Sequence, residues 1–140
     1  MTADPAPLLV ELGAERRSDR EWVVAVPVAK RGPLGVLVTT GDRTLTLRTF
    51  LMRGPDRSRE EVYRRLLRKQ LDTRMWRFAL DDAGDLFALA DLPLERLTAD
   101  LLDGALGLLA VLVDETYEGV LRTGFDVPEG TRLGPPPATG

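Results

Sequence analysis

An α+β domain, with an antiparallel five-stranded sheet packed against two main helices in the order (α)βββαββα, is the fold the sequence predicts. Three observations point to it. Residues 43–53 alternate between apolar and polar side chains with a period of two, as a strand with one buried face does. Residues 58–71 and 98–122 repeat their apolar side chains at helical spacing. The Gly41-Asp42 pair and the stretch Asp81-Asp82-Ala83-Gly84-Asp85 each separate strand-like runs closely enough for a hairpin.

The elements follow in order. Between Pro5 and Ala14, Leu8, Leu9 and Leu12 have helical spacing, but the flanking prolines and Gly13 leave room for only a short helix. Trp22 to Val28 is rich in β-branched and aromatic residues, a strand closed by Pro27. Leu34 to Thr40 and Arg43 to Arg53 are the next two. In the latter, Leu45, Leu47, Thr49 and Leu51 share one face, and Thr44, Thr46, Arg48, Phe50 and Met52 the other. Ser58 and Glu61 have the spacing of a capping box, opening a helix to about Leu71. Its apolar stripe is Val62, Tyr63, Leu66, Leu67 and Leu71, with Arg64, Arg65, Arg68 and Lys69 opposite. Trp76, Phe78 and Leu80 alternate as a fourth strand, and Leu86 to Leu92 is a fifth. Thr98 can cap the last helix, which runs to about Arg122. Residues 1–126 then form one domain, and residues 127–140, rich in Pro and Gly, are expected to be a flexible tail.

Composition narrows the chemistry. The 140 residues contain no His, no Cys and no Asn. A Ser-His-Asp triad, a thiolate nucleophile and a zinc site of nitrogen and sulfur ligands are excluded. The net charge of −3 exerts no general pull toward nucleic acid or anionic lipid. The apolar run 104–113 is ten residues, against the roughly 20 that cross a bilayer. Met1-Thr-Ala-Asp-Pro5 has neither the basic nor the apolar region of a signal peptide, so a cytoplasmic location is expected.

Three stretches invite a functional reading. Asp81, Asp82 and Asp85 could hold a divalent cation or act as acid and base in a carboxylate-dependent enzyme. Their spacing departs from a calcium loop, however, and Asp and Gly are what a hairpin turn requires, so a turn is the expectation and no metal or cofactor is assigned. Arg64, Arg65, Arg68 and Lys69 could meet an anion or nucleic acid. Residues 43–77 carry 11 basic and 4 acidic side chains, residues 78–126 2 basic and 11 acidic. That division favours internal pairing, and no aromatic ladder or helix-turn-helix accompanies the basic residues. The last helix is apolar on more than one side. Leu101, Leu102, Ala105, Leu108, Leu109 and Leu112 are the candidate partner or dimer interface, with Gly104 and Gly107 open to close approach.

The stretches Leu37-Val-Thr-Thr-Gly-Asp-Arg-Thr-Leu45, Phe50-Leu-Met-Arg-Gly-Pro55, Val62-Tyr-Arg-Arg-Leu-Leu-Arg68, Phe78-Ala-Leu-Asp-Asp-Ala-Gly-Asp-Leu86 with Leu92-Pro-Leu94, and Leu102-Asp-Gly104 leading to Asp114-Glu-Thr-Tyr117 and Gly124-Phe125 together resemble the YbjN family. These are the bacterial sensory transduction regulators, here of actinobacterial type. The chain departs from the pattern at Ala90-Asp91 and in its abbreviated first helix. The resemblance implies a fold similar to that of type III secretion chaperones. It also implies a homodimer, an unidentified protein client and a non-enzymatic regulatory or chaperone-like role. It transfers no catalytic residue and no cofactor.

Overall fold

The computed structural model describes residues 4–125. Helix α1 (Ala6–Glu11) is followed by strands β1 (Glu15–Arg16), β2 (Glu21–Val26), β3 (Leu34–Thr40) and β4 (Thr44–Met52). Helix α2 (Arg59–Gln70), strands β5 (Arg77–Leu80) and β6 (Leu86–Pro93), a 3₁₀ turn (Leu94–Arg96) and helix α3 (Ala99–Gly124) complete it. The sheet order is β1-β2-β3-β4-β6-β5, antiparallel throughout, with β1 and β5 at its edges.

The sheet therefore has six strands where five are expected from the sequence. The extra one, β1, joins β2 through the pairs Glu15 with Val23 and Arg16 with Trp22. Two charged, exposed residues display no periodicity, because their pairing is made by the backbone alone. The other elements match their expected order. The predicted tail, residues 127–140, lies outside the described residues.

One sheet face carries the core. Val24, Val26, Leu34, Val36, Val38, Leu45, Leu47, Ala88, Ala90 and Leu92 are buried with Leu102, Ala105, Leu109, Leu112 and Val113 of α3. The predicted division of β4 holds: Leu45, Leu47, Thr49 and Leu51 are buried, and the intervening residues are half-buried or exposed. A register shift between Phe50 and Met52, where β4 meets β6, gives Leu51 its place as the additional residue.

The helix caps differ. Thr98 has extended backbone angles, and its hydroxyl accepts from Leu101 N at 3.1 Å. Ser58 instead lies in the left-handed region, φ 52°, with no side-chain cap bond, so the expected Ser58/Glu61 box is not formed. An N-cap hydroxyl reaches the first-turn amides from extended backbone angles, and Ser58 lacks them. Its carbonyl still accepts from Val62 N at 3.0 Å, and Glu60 and Glu61 stand in the first turn.

Helices α2 and α3 run antiparallel in contact. A Cβ on Gly124 would lie 2.8 Å from Val62 Cγ2 and 2.9 Å from Pro55 Cβ, and one on Gly119 would lie 2.7 Å from the Arg65 guanidinium. Lys69 forms an ion pair with Glu115. This brings the start of α2 beside the end of α3 and leaves the outer side of α2 uncovered.

Candidate protein-binding surfaces

The aspartate stretch is a turn. Asp81 Oδ1 accepts from Ala83 N at 3.0 Å and Asp85 N at 2.9 Å, while Gly84 N donates to Asp81 O at 3.0 Å. Gly84 has φ +84°, a conformation that favours glycine. Asp85 reaches out of the hairpin, and its Oδ1 accepts from Gly54 N at 2.9 Å. Asp82 is exposed. The carboxylates of Asp81 and Asp85 are thus directed at backbone amides, and among the described residues no three of His, Cys, Asp or Glu are grouped to hold a metal ion. Asp85→Ala is expected to cost about 1–3 kcal/mol, because the partly buried Gly54 amide loses its acceptor. Urea unfolding measures the loss; adding calcium or magnesium to the native chain should leave its midpoint unchanged.

The clearest electrostatic perturbation lies at the entry to α2. The hydrogen bond from Arg53 holds the Asp56 carboxyl below the usual carboxylate range against the opposing effect of desolvation, and Asp56 in turn raises the Arg53 guanidinium. Both side chains are largely exposed, so this is a surface ion pair and not an acid–base couple.

Two of the four candidate cations of α2 are in ion pairs. Arg64 pairs with Glu60 at 3.0 Å, Lys69 with Glu115, and Arg65 lies across Gly119 of α3. Arg68 is exposed and makes no ion pair among the described residues. The internal pairing expected from the division of charge is partly realised.

The candidate interface residues on α3 divide by burial. Leu102, Ala105, Leu109 and Leu112 are in the core, Leu101 is half-buried, and Leu108 is exposed. The spacing of the buried four is that of the stripe facing the sheet, so burial within the chain accounts for them. Nothing lies within 4 Å of a Cβ placed on Gly104 or Gly107. The exposed large apolar side chains of this helix are Leu108 and Val111.

Two surfaces escaped the sequence reading. The first is on α2 and its C-cap, where Leu67 and Leu71, both of the expected apolar stripe, are 70% and 87% exposed. They continue into a cleft of about 290 Å³ lined by Tyr63, Leu66, Leu67, Phe78, Leu80 and Leu86, at the free edge of β5. Gln70 closes part of that edge: its amide accepts from Phe78 N at 2.9 Å and donates to Trp76 O at 2.7 Å. Alternation along β5 leaves the Phe78 carbonyl and both polar groups of Leu80 pointing outward.

The second is the sheet face away from the helices. Across it run Glu15, Val23, Leu37, Arg48, Leu89 and Arg77 as successive cross-strand partners, beside Phe50, Phe87 and Ala79. Phe50 and Phe87 meet edge to face at 5.5 Å, and the Arg48 guanidinium lies 4.3 Å from the Phe87 ring centre. A helix-free antiparallel face is ordinarily polar. The available signal was β6, whose Leu86-Phe-Ala-Leu-Ala90 run is apolar at every position and not at alternate ones.

Comparison with known proteins agrees with this architecture. The crystal structure of YbjN from E. coli superposes with a TM-score of 0.61 at 11% identity, covering 81% of this chain and 89% of that one. The Yersinia pestis type III secretion chaperone SycH, in complex with a fragment of YscM2, gives 0.53 at 21% identity over 81% and 93%. The heterodimeric ExoU–SpcU complex of Pseudomonas aeruginosa gives 0.50 at 20% over 84% and 92%. At such identities the likeness is one of fold. Uncharacterized proteins of Mycobacterium tuberculosis and Mycobacterium leprae are 29% and 27% identical over 103 residues, 74% of this chain and 56% of theirs. The chain thus spans about half the length of these curated relatives. No helix among the described residues is long and apolar enough to cross a membrane. The sequence pattern of the family described as "Putative bacterial sensory transduction regulator" matches residues 7–122, and the chain belongs to that family, YbjN.

Proposed function

We propose that this chain is a non-enzymatic protein-binding domain of regulatory or chaperone-like kind, a homodimer joined through α2. The observation that carries this reading is the exposure of Leu67 and Leu71 in line with the apolar cleft at the free edge of β5. Exposed leucines that continue into an apolar cleft beside an open strand are a surface that another chain can bury. The charges of α2 suit a second copy: Glu61 stands in the first turn and Arg68, which makes no ion pair among the described residues, in the last. Two copies crossing antiparallel about a two-fold axis set the acidic end of one against the basic part of the other. Family membership and neighbours that include a secretion chaperone bound to a protein fragment support a protein client.

The double variant Leu67→Glu, Leu71→Glu tests the dimer. Both positions are exposed, so the fold should survive while light scattering reports half the mass of the parent chain. A parent chain that is already monomeric at working concentration, or a variant that stays dimeric, contradicts the assignment to α2.

A further inference from the structure

We infer that the open face of the sheet seats an amphipathic helix of a partner chain, with apolar side chains on Val23, Leu37, Phe50 and Leu89 and a carboxylate on Arg48. This deepens the protein-binding reading and rests on it. The covered face has α3; the opposite face holds Val23, Leu37, Phe87 and Leu89 half-buried and Phe50 exposed, with no element of the described chain over them. One sheet thus presents apolar side chains on both faces, and the second lacks its cover.

The shape of this surface selects the kind of occupant. Strands β3, β4 and β6 are internal to the sheet and paired on both sides, so their backbone groups are committed to the ladders and the face offers side chains only. An extended segment laid on it would leave its own amides and carbonyls against apolar groups, at about 1–3 kcal/mol for each unsatisfied group. A helix satisfies its backbone internally and brings an apolar stripe to a flat sheet.

Charge selects further. Arg77 is paired with Asp91 at 3.0 Å, and Asp91 also accepts from Thr46. Arg48, in the middle of the cross-strand row, makes no ion pair among the described residues. A cation amid apolar side chains favours a carboxylate and disfavours a lysine or arginine. A second copy packed face to face with its two-fold axis along this row would oppose Arg48 to Arg48 and Arg77 to Arg77, and we assign the acidic helix as the occupant.

The experiment uses the full chain, labelled with nitrogen-15, and two designed helical peptides. Each carries leucines along one face and, among them, either glutamate or lysine. The glutamate peptide should shift the amides of Leu37, Arg48, Phe50, Phe87 and Leu89 and bind about tenfold more tightly than the lysine peptide. Arg48→Glu, on the solvent side of the sheet, should retain a dispersed spectrum and reverse the preference. Shifts confined to α2 and β5 would overturn the sheet-face site while leaving the protein-binding reading intact. An unchanged preference in Arg48→Glu would overturn the role of Arg48, and a smaller particle mass in that variant would assign the face to a second copy. Absence of shifts with either peptide would count against both readings.

Discussion

Trp76→Ala is expected to lower the unfolding free energy by about 3–5 kcal/mol, the range for truncating a large buried aromatic. Trp76 is 2% exposed, and its Nε1 donates to the carbonyl of Ala105 on α3 at 2.7 Å. The chain reverses from α2 into β5 immediately before it. Trp76 N donates to Arg74 O at 2.7 Å across Met75, whose φ is 73°, the geometry of a strained three-residue turn. Gln70 and Thr73 tie the same reversal: the Thr73 hydroxyl donates to Gln70 O at 3.1 Å, and the Gln70 amide bonds Trp76 O and Phe78 N. The indole is therefore the plug between the α2–β5 connection and α3, and its removal should loosen β5 and the neighbouring cleft together. Urea unfolding followed by far-ultraviolet circular dichroism measures the loss. A change below about 1 kcal/mol, the scale of a surface substitution, would contradict this packing.

Leu109→Ala should cost about 2–5 kcal/mol of stability and leave the oligomeric state of the folded fraction unchanged. Leu109 is fully buried in the core, whereas its neighbour Leu108 is 44% exposed. Leu108→Ala should accordingly stay within about 1 kcal/mol of the parent. The pair separates the two meanings of an apolar helix. If Leu109 were an interface residue, its truncation would weaken association and spare the protomer. Thermal unfolding at two protein concentrations distinguishes these outcomes, because an interface residue makes the midpoint shift depend on concentration.

Much of the fold was legible because local rules and burial agree. The alternation of Leu45, Leu47 and Leu51 in β4 is also their burial, and Thr98 caps α3 where the sequence places a cap. β1 was illegible because Glu15 and Arg16 pair through backbone groups that every residue possesses. The Ser58/Glu61 spacing suggested a cap that φ at Ser58 forbids, a fact carried by the chain path around Pro55 and Gly124 and not by residue type.

The surfaces were harder for a related reason. A helical stripe states which side chains share a face, not how much of that face the sheet can cover. The stripe of α2 is wider than its contact, so Val62 and Leu66 are covered and Leu67 and Leu71 are not. The apolar excess on α3 suggested an interface, yet the core absorbs Leu102, Ala105, Leu109 and Leu112. Asp81 and Asp85 are turn residues by their company alone, whereas the bond from Gly54 to Asp85 spans 31 positions and has no local sequence signature.

Amide hydrogen exchange at low and high protein concentration tests most directly whether the uncovered side of α2 is buried by another copy. Exchange at residues 67–71 should slow as concentration rises, while the amides of α1 and β1 remain unchanged. Equal exchange of residues 67–71 across the range in which the particle mass doubles would place the contact elsewhere and contradict the assignment of α2 as the joining surface.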